Sequence, residues 1–253
     1  MIVREQKDDI VMIKQHDHGL LAGTLFTKFN KEYLPSSDYK EDLFFAIRNH
    51  DCGWKLFDEE PFWNDQNDKP YDFNDFPIGP KLVLYEFGIN KVEKTSLFAA
   101  LLCSIHYVSF LRDRTDEASK QFVQNELFRQ KRIQQEELNL DEQFVKKHYQ
   151  ILKLFDDLSL YLCLNEPGTT KEDEHFFFQN GIQLPTLFGR DRLEVNWKTN
   201  DTLFLSEALF YDDLTVKLQQ KVVEKEAISK LGIKKAYAKT EEEIVSITLK
   251  VTS

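Results

Sequence analysis

The chemistry open to this chain is concentrated in its histidines and in two aspartates set among apolar residues. Six histidines occur, at positions 16, 18, 50, 106, 148 and 175. In "HDHGLLAGTLFTKF", His18, Leu21, Ala22, Leu25 and Phe29 fall at i, i+3, i+4, i+7 and i+11, one face of a helix. His16 lies ~200° away around that axis, so only one of the two can face a core, and the spacing makes His18 the inward one. A lone inward histidine is as a rule a satisfied core residue. His50 shares a face with Leu43, Ile47 and Trp54 in "DLFFAIRNHDCGW", and Asp51 follows ~100° further round. A buried carboxylate without a partner is costly, so Asp51 needs a cation, a metal, or backbone donors at a helix end near Gly53.

His106 sits in "LFAALLCSIHYVSFL", which is apolar nearly all round and must be central. Ser104, Tyr107 and Ser109 are local partners for its ring, and a metal is the sharper alternative. Asp156 and Asp157 adjoin in "LKLFDDLSLYL", so at least one points inward, on a face with Leu152, Ser159 and Leu160. His18, His50, Asp51, His106 and Asp156 thus lie on different apolar helices, the adjacent pair excepted. Inward polar residues of one ligand class need one another or a shared cation to be tolerated. Imidazole with carboxylate suits Mn, Fe, Ni, Zn or Mg.

The elements that must carry these residues are mostly helical. Positions from about 15 to 165 read as helices, with Ser37 and Asp38 placed to open the second and Asn90 and Glu93 at capping-box spacing ahead of the one through Arg112. A charged amphipathic helix spans roughly 117–137 and another starts near Asp141. Earlier in the chain, residues 55–80, "KLFDEEPFWNDQNDKPYDFNDFPIGP", form a long Pro- and Asp-rich loop whose aromatic content suits a packed cover. After "NEPGTT" the register changes. "LEVNW" and "TLFLS" read as a hairpin, "TVKLQQKV" and "EIVSITLKV" alternate with period two, and a short helix falls near 227–231. The expected fold is α+β: a helical body over residues 1–170 with a small antiparallel β-rich appendage over 171–253.

The bulk properties narrow the partners. A net charge of -10 lacks the basic footprint that a nucleic-acid polymer or an anionic membrane needs. The three widely spaced cysteines give no disulfide framework, which points to a reducing, cytoplasmic setting. "MIVREQKDDIVMIK" carries charges where a signal peptide would be apolar, and the apolar run 97–111 is too short and too polar to span a bilayer.

The order His, then His-Asp, then a distant Asp resembles the HD superfamily of metal-dependent phosphohydrolases. That resemblance implies an HD-like bundle in which His18, His50, Asp51 and Asp156 hold a divalent metal. Asp51 would also orient or deprotonate the attacking water. "MIVRE", "QHDHGLLAGTL", "HDCGW", "NDKPYDF", "SIHYVSFL" and "FDDLSLYLCL" resemble, over nearly the full chain, the bacterial domain-of-unknown-function family 3891. That family implies no established activity; its pattern favours Asp156 over Asp157 as the ligand. Dinuclear HD proteins add two histidines. His106 could supply one as a weak second-metal ligand, or it could act instead as a general acid or as a hydrogen-bond donor to a ligand. His148 lies eight residues before Asp156, ~12 Å along a helix, against ~3.5–4 Å between bridged metals, so it reads as a core or boundary residue. His175, in "KEDEHFFF", reads as a surface-loop residue.

The expected function is a divalent-metal-dependent phosphohydrolase acting on a small phosphoester or nucleotide. Asp51 and His106 are its catalytic candidates, and Gln15, Trp54 and Lys55 the substrate-binding ones. Arg48 is a further phosphate partner, and Trp54, Pro61, Pro70 and Phe73 carry the cover over the pocket. Alternatives are an HD-fold di-iron oxygenase and a non-catalytic, metal-stabilised binding protein.

Overall fold

The computed structural model describes residues 1–35 and 38–251; Ser37, expected to open the second helix, lies outside them. The chain begins with strands β1 (Ile2–Glu5) and β2 (Asp9–Ile13), then helices α1 (Gln15–Thr27), α2 (Lys40–Asn49) and the short α3 (Lys55–Asp58). A two-residue hairpin, β3 (Trp63–Asn64) and β4 (Lys69–Pro70), leads into α4 (Ile78–Glu93), α5 (Leu97–Leu111), α6 (Glu117–Lys131) and the long α7 (Glu142–Leu164). The rest holds β5 (Ile182–Gln183), β6 (Arg192–Leu193), β7 (Val195–Thr199), β8 (Thr202–Leu205), β9 (Leu214–Glu224), α8 (Lys225–Leu231), α9 (Ile233–Lys239) and β10 (Glu243–Val251).

The sheet overturns the expected small C-terminal antiparallel appendage on a helical bundle. Six strands pair in the order β1-β2-β9-β10-β8-β7, so two of them come from the first thirteen residues. The β10–β8 pair is parallel, Thr248 to Val251 running beside Thr202 to Leu205, and the sheet is therefore mixed. One face supplies Ile2, Ile13, Val216, Leu218, Ile247 and Leu249 to the same apolar cluster as the helices. The other face, around Ile10, Met12 and Val223, is covered by Ile228, Ile233, Ala236 and Tyr237 of α8 and α9. The overall class remains α+β, with the sheet a main layer. Arg4 ties that layer to the end of α7, donating to the Asn165 carbonyl at 2.5 Å and to Gln220 Oε1 at 2.9 Å.

The helix caps show which short-range signals were read correctly. Asp141 accepts from Gln143 N and Phe144 N, as its placement before α7 predicts. Asn90 and Glu93 do not cap α5: they close α4, and Ser96 caps α5 by accepting from Ala99 N at 3.0 Å. Asp38 is likewise outside α2, whose first residue follows Tyr39. The stretch 55–80 is a folded cover, containing α3, the hairpin and the start of α4. Among the described residues no helix is long and apolar enough to cross a membrane.

Candidate metal centre

The first turn of α1 has no local side-chain cap. Its amides are taken by a residue forty-odd positions away: Asp58, fully buried, accepts from Gln15 N and His16 N, both at 2.9 Å. This anionic acceptor complements the helix dipole and fixes the turn that carries Gln15 and His18. α1 is covered on several sides, by α2, α7, α3 and β9. His16 is consequently buried as well, contrary to the expectation that it faces outward, and burial brings it down to about 4.

His50 caps the end of α2, and Asp51 follows in the turn before the 3-10 segment Cys52–Trp54. Gly53 explains the pentapeptide "HDCGW". A Cβ there would stand 2.2 Å from Leu84 O and 3.0 Å from Leu84 C, so only glycine lets this turn lie against the α4 backbone. Gly88 meets it from the other side, where a Cβ would be 3.1 Å from Gly53 N. Trp54 then folds over the turn, edge-on to Phe76 and Tyr85.

The structure brings His18, His50, Asp51, His106 and Asp156 together, all buried. His18 Nε2 is 2.8 Å from Asp51 Oδ2, and His50 Nε2 is 3.1 Å from Asp156 Oδ1 and 3.8 Å from Asp51 Oδ2. His106 Nε2 lies 3.6 Å from Asp156 Oδ2. Two sets of donors converge: His18, His50 and Asp51, and His50, His106 and Asp156, each with ligand atoms within 4.8 Å of one another. Adjacent ligands on one ion, at ~2.1 Å bonds, stand about 3.0–3.4 Å apart, so the His–Asp contacts have the right scale for a divalent cation.

The far sides of the two central imidazoles are already committed. His50 Nδ1 donates to the Ile47 carbonyl at 2.7 Å. Ser159 Oγ donates to the Asp156 carbonyl at 2.9 Å and so can only accept from His18 Nδ1, 3.1 Å away. Both rings therefore turn Nε2 toward the carboxylates, the second-sphere pattern that fixes a ligating histidine. His50 Nε2 makes no aligned hydrogen bond despite its proximity to Asp156, and buried Nδ1 of His106 is also unpaired. The orphaned His50 Nε2, beside two carboxylates, fits a hard-to-borderline divalent ion.

Asp51 is held on every side. Tyr107 Oη has one proton to share between the His50 carbonyl at 2.5 Å and, as the longer acceptor, Asp51 Oδ1 at 3.0 Å, while Gln15 Nε2 donates to Oδ2 at 2.8 Å. Burial alone would raise this carboxyl, but His50 and His18 outweigh it and hold Asp51 below the usual carboxylate range. Burial likewise opposes ionisation of His50, and the Asp51 and Asp156 charges overcome it, lifting the imidazole to about 9. Asp156 is held well below its ordinary value: burial opposes this, and His106, Lys153 and His50 outweigh it. Burial pushes His106 down to about 3. Its ring is therefore neutral near pH 7, and Lys153 and His50 are the charges that keep Asp156 ionised.

The cluster floors a cavity of about 520 Å³ into which Asp51, His106 and Asp156 open, with His18 and His50 behind them. Of the expected substrate contacts, Gln15 and Trp54 line the cavity; Lys55 is exposed and is not on its wall, and Arg48 is also exposed. Of the cover, Phe73 reaches the cavity, joined by Asn74 and Ile78, whereas Pro61 and Pro70 are buried elsewhere. Asp157 lines the wall paired with Lys153 and stands outside both ligand sets. His148 packs against Phe98 and Phe144, and half-buried His175 lies beside Phe176 and Phe177; neither joins the cluster. Sequence reasoning missed the wall's four cations, Lys81, Arg114, Lys153 and Arg192, and its second cover, Phe177 to Gln183. It also offered Tyr107 as one of three local candidates to partner His106, whereas that hydroxyl reaches the His50 carbonyl and Asp51.

In comparison with known proteins, residues 1–225 match the model of a family described as "Protein of unknown function (DUF3891)". No curated protein and no solved structure matches the chain.

Proposed function

We propose, from the premise that the chain belongs to this family of unknown function, DUF3891, that it is a divalent-metal-dependent phosphohydrolase acting on a small phosphoester or nucleotide. One observation carries the reading. Two imidazoles, each with Nδ1–H spent on a fixed acceptor, aim Nε2 at two buried carboxylates on the floor of a cavity lined by four cations. The order of His18, His50, Asp51 and Asp156, which resembles the HD superfamily, supports it.

His18, His50, Asp51 and Asp156 would hold the ion, whose identity among Mn, Fe, Ni, Zn and Mg is open. When bound, such an ion polarises a phosphoryl oxygen and acidifies water. The remaining work falls to the chain. Tyr107 and Gln15 fix the two Asp51 oxygens, so that carboxylate is oriented toward the cavity to accept a proton from water. Lys153, 3.5 Å from Asp156 Oδ2, balances the buried carboxylates and stands on the wall where a transferring phosphoryl group would gather charge. Neutral His106 faces the same space as a hydrogen-bonding group for the leaving oxygen. Trp54, Phe73 and Phe178 exclude water around it.

A single ion is favoured over two. Both donor sets contain His50, and its one free nitrogen cannot serve two metals at once. That weighs against the di-iron oxygenase reading. Elemental analysis of protein purified without chelator, followed by a phosphoester panel with Mn, Ni and Fe, tests the proposal. Stoichiometric metal and turnover that both collapse in Asp51→Ala are expected. An Asp51→Ala protein with full metal content and full activity would overturn it.

A further inference from the structure

A chain with net charge -10 has placed four cations on one cavity wall, and they fall into two pairs. Lys153 and Arg192 both act on Asp157, next to the candidate metal centre. Lys81 and Arg114 belong to a second locus. Lys81 is on the first turns of α4 and donates to the Asn74 carbonyl at 3.0 Å; Arg114 follows the end of α5. They act on each other as like charges: burial first, and Arg114 next, push the Lys81 ammonium down.

Asp72 and Asp75 act on Lys81 through space, but among the described residues neither forms an ion pair with it. Asp72 accepts from Asn74 N and Asp75 N and stands 3.6 Å from Lys69, while Asp75 accepts from Asp72 N, Asn64 and Asn67. Both are occupied in shaping their own loop. Arg114 spends Nε on Asp116 and Ser119, at 2.8 and 3.2 Å, and its terminal nitrogens have no hydrogen-bond partner among the described residues. Asp116 engages only the Nε edge of Arg114, so its terminal nitrogens and the Lys81 ammonium, both on the wall of one cavity, stay open to an anion. Apolar Phe73, Ile78, Phe110 and Leu111 line the same cavity and suit a hydrophobic body.

We propose that Lys81 and Arg114 form an anion subsite for a second charged group of the substrate, which is a small phosphoester carrying another phosphate or carboxylate on an apolar body. The scissile phosphate would sit on the metal-centre side, beside Lys153 and Arg192. This assignment of the two ends rests on the hydrolase reading; the subsite itself does not need the metal.

The test uses the full chain stripped of metal by chelator, with its Lys81→Gln/Arg114→Gln double variant. Alkane bisphosphates of graded length, the matching ω-carboxyalkyl phosphates and the plain monophosphates are titrated calorimetrically. Two-anion ligands of the fitting length should bind wild type at least about tenfold more tightly than monophosphates, and the double variant should erase that advantage while keeping its melting temperature. Preference for the bisphosphate or the carboxylate series names the second group. No advantage at any length, or one that survives the double variant, overturns the subsite. Metal content and turnover of wild type are measured separately. A protein that shows the advantage yet takes up no metal retains the subsite and loses the hydrolase, and one that turns over substrate without the advantage does the reverse.

Discussion

Tyr107 and Asp51, from different elements, meet in a buried hydrogen bond of 3.0 Å, and the same hydroxyl reaches the His50 carbonyl at 2.5 Å. One phenol thus orients both members of the His-Asp doublet, and its ring is stacked on Tyr85 with centroids 3.9 Å apart. Tyr107→Phe keeps the packing and removes only the hydroxyl. Metal affinity should fall about 10–100-fold, the usual cost of losing an outer-sphere partner, with little change in the circular dichroism spectrum. Metal titration by calorimetry measures it; unchanged affinity would show that Asp51 is not positioned through Tyr107.

Metal should also report on stability. An ion held by residues from α1, the end of α2 and α7 binds the folded state alone, since those residues are far apart in an unfolded chain. At a free metal concentration of about 100 Kd the gain is about 2.7 kcal/mol, which raises Tm by about 5–10 °C for a chain of this size. Thermal melts with and without chelator measure it, and the same shift in His50→Ala would place the ion elsewhere.

The candidate ligands were legible in the sequence because His18, His106 and Asp156 are polar residues on largely apolar helix faces and the His50-Asp51 doublet directly follows another. His18 sits among Leu21, Ala22 and Leu25, and Asp156 among Phe155, Leu158 and Ser159. Their partners were less so. Tyr107 and Asp58 act on residues more than forty positions away, and nothing local distinguishes them from an ordinary core tyrosine or loop aspartate. The N-terminal strands escaped for a different reason. Ile10 to Ile13 are buried on both faces of the sheet, so β2 lacks the alternation that marked β10, and its partner β9 lies two hundred residues on. The burial of His16 follows from that same packing. Lys81 and Arg114 were hidden because their shared cavity is a property of tertiary structure alone.

Gly53 is a stringent test of how the doublet is placed. In Gly53→Ala the new methyl would overlap Leu84 O and crowd Gly88 N at 3.3 Å, and neither backbone group can rotate away. The turn must move off α4, carrying Asp51 and Trp54 with it. The expected loss is about 3 kcal/mol or more, at the upper end for an overpacked core. Urea melts measure it. A variant within about 0.5 kcal/mol of wild type would mean the turn is free to shift and does not fix Asp51.

The acid limb of stability should carry the mark of His148, which is remote from the candidate metal centre. Its ring is 1% exposed, packs on Phe98 and Phe144, and donates Nδ1–H to the Phe144 carbonyl at 2.8 Å. Burial lowers it below its ordinary 6.5, and that hydrogen bond only partly offsets the effect. Below the ordinary value the unfolded chain takes a proton that the folded chain refuses, so the unfolded state binds more protons and stability falls as pH falls. Above about 6.5 both states are neutral and the contribution is flat. His148→Gln should therefore flatten the decline between the ordinary value and the depressed one, even if it costs stability at neutral pH through lost packing. Denaturant melts of the two proteins across pH 7 to 5 give the comparison. Parallel curves for wild type and variant would show that His148 is protonated as readily in the fold as out of it.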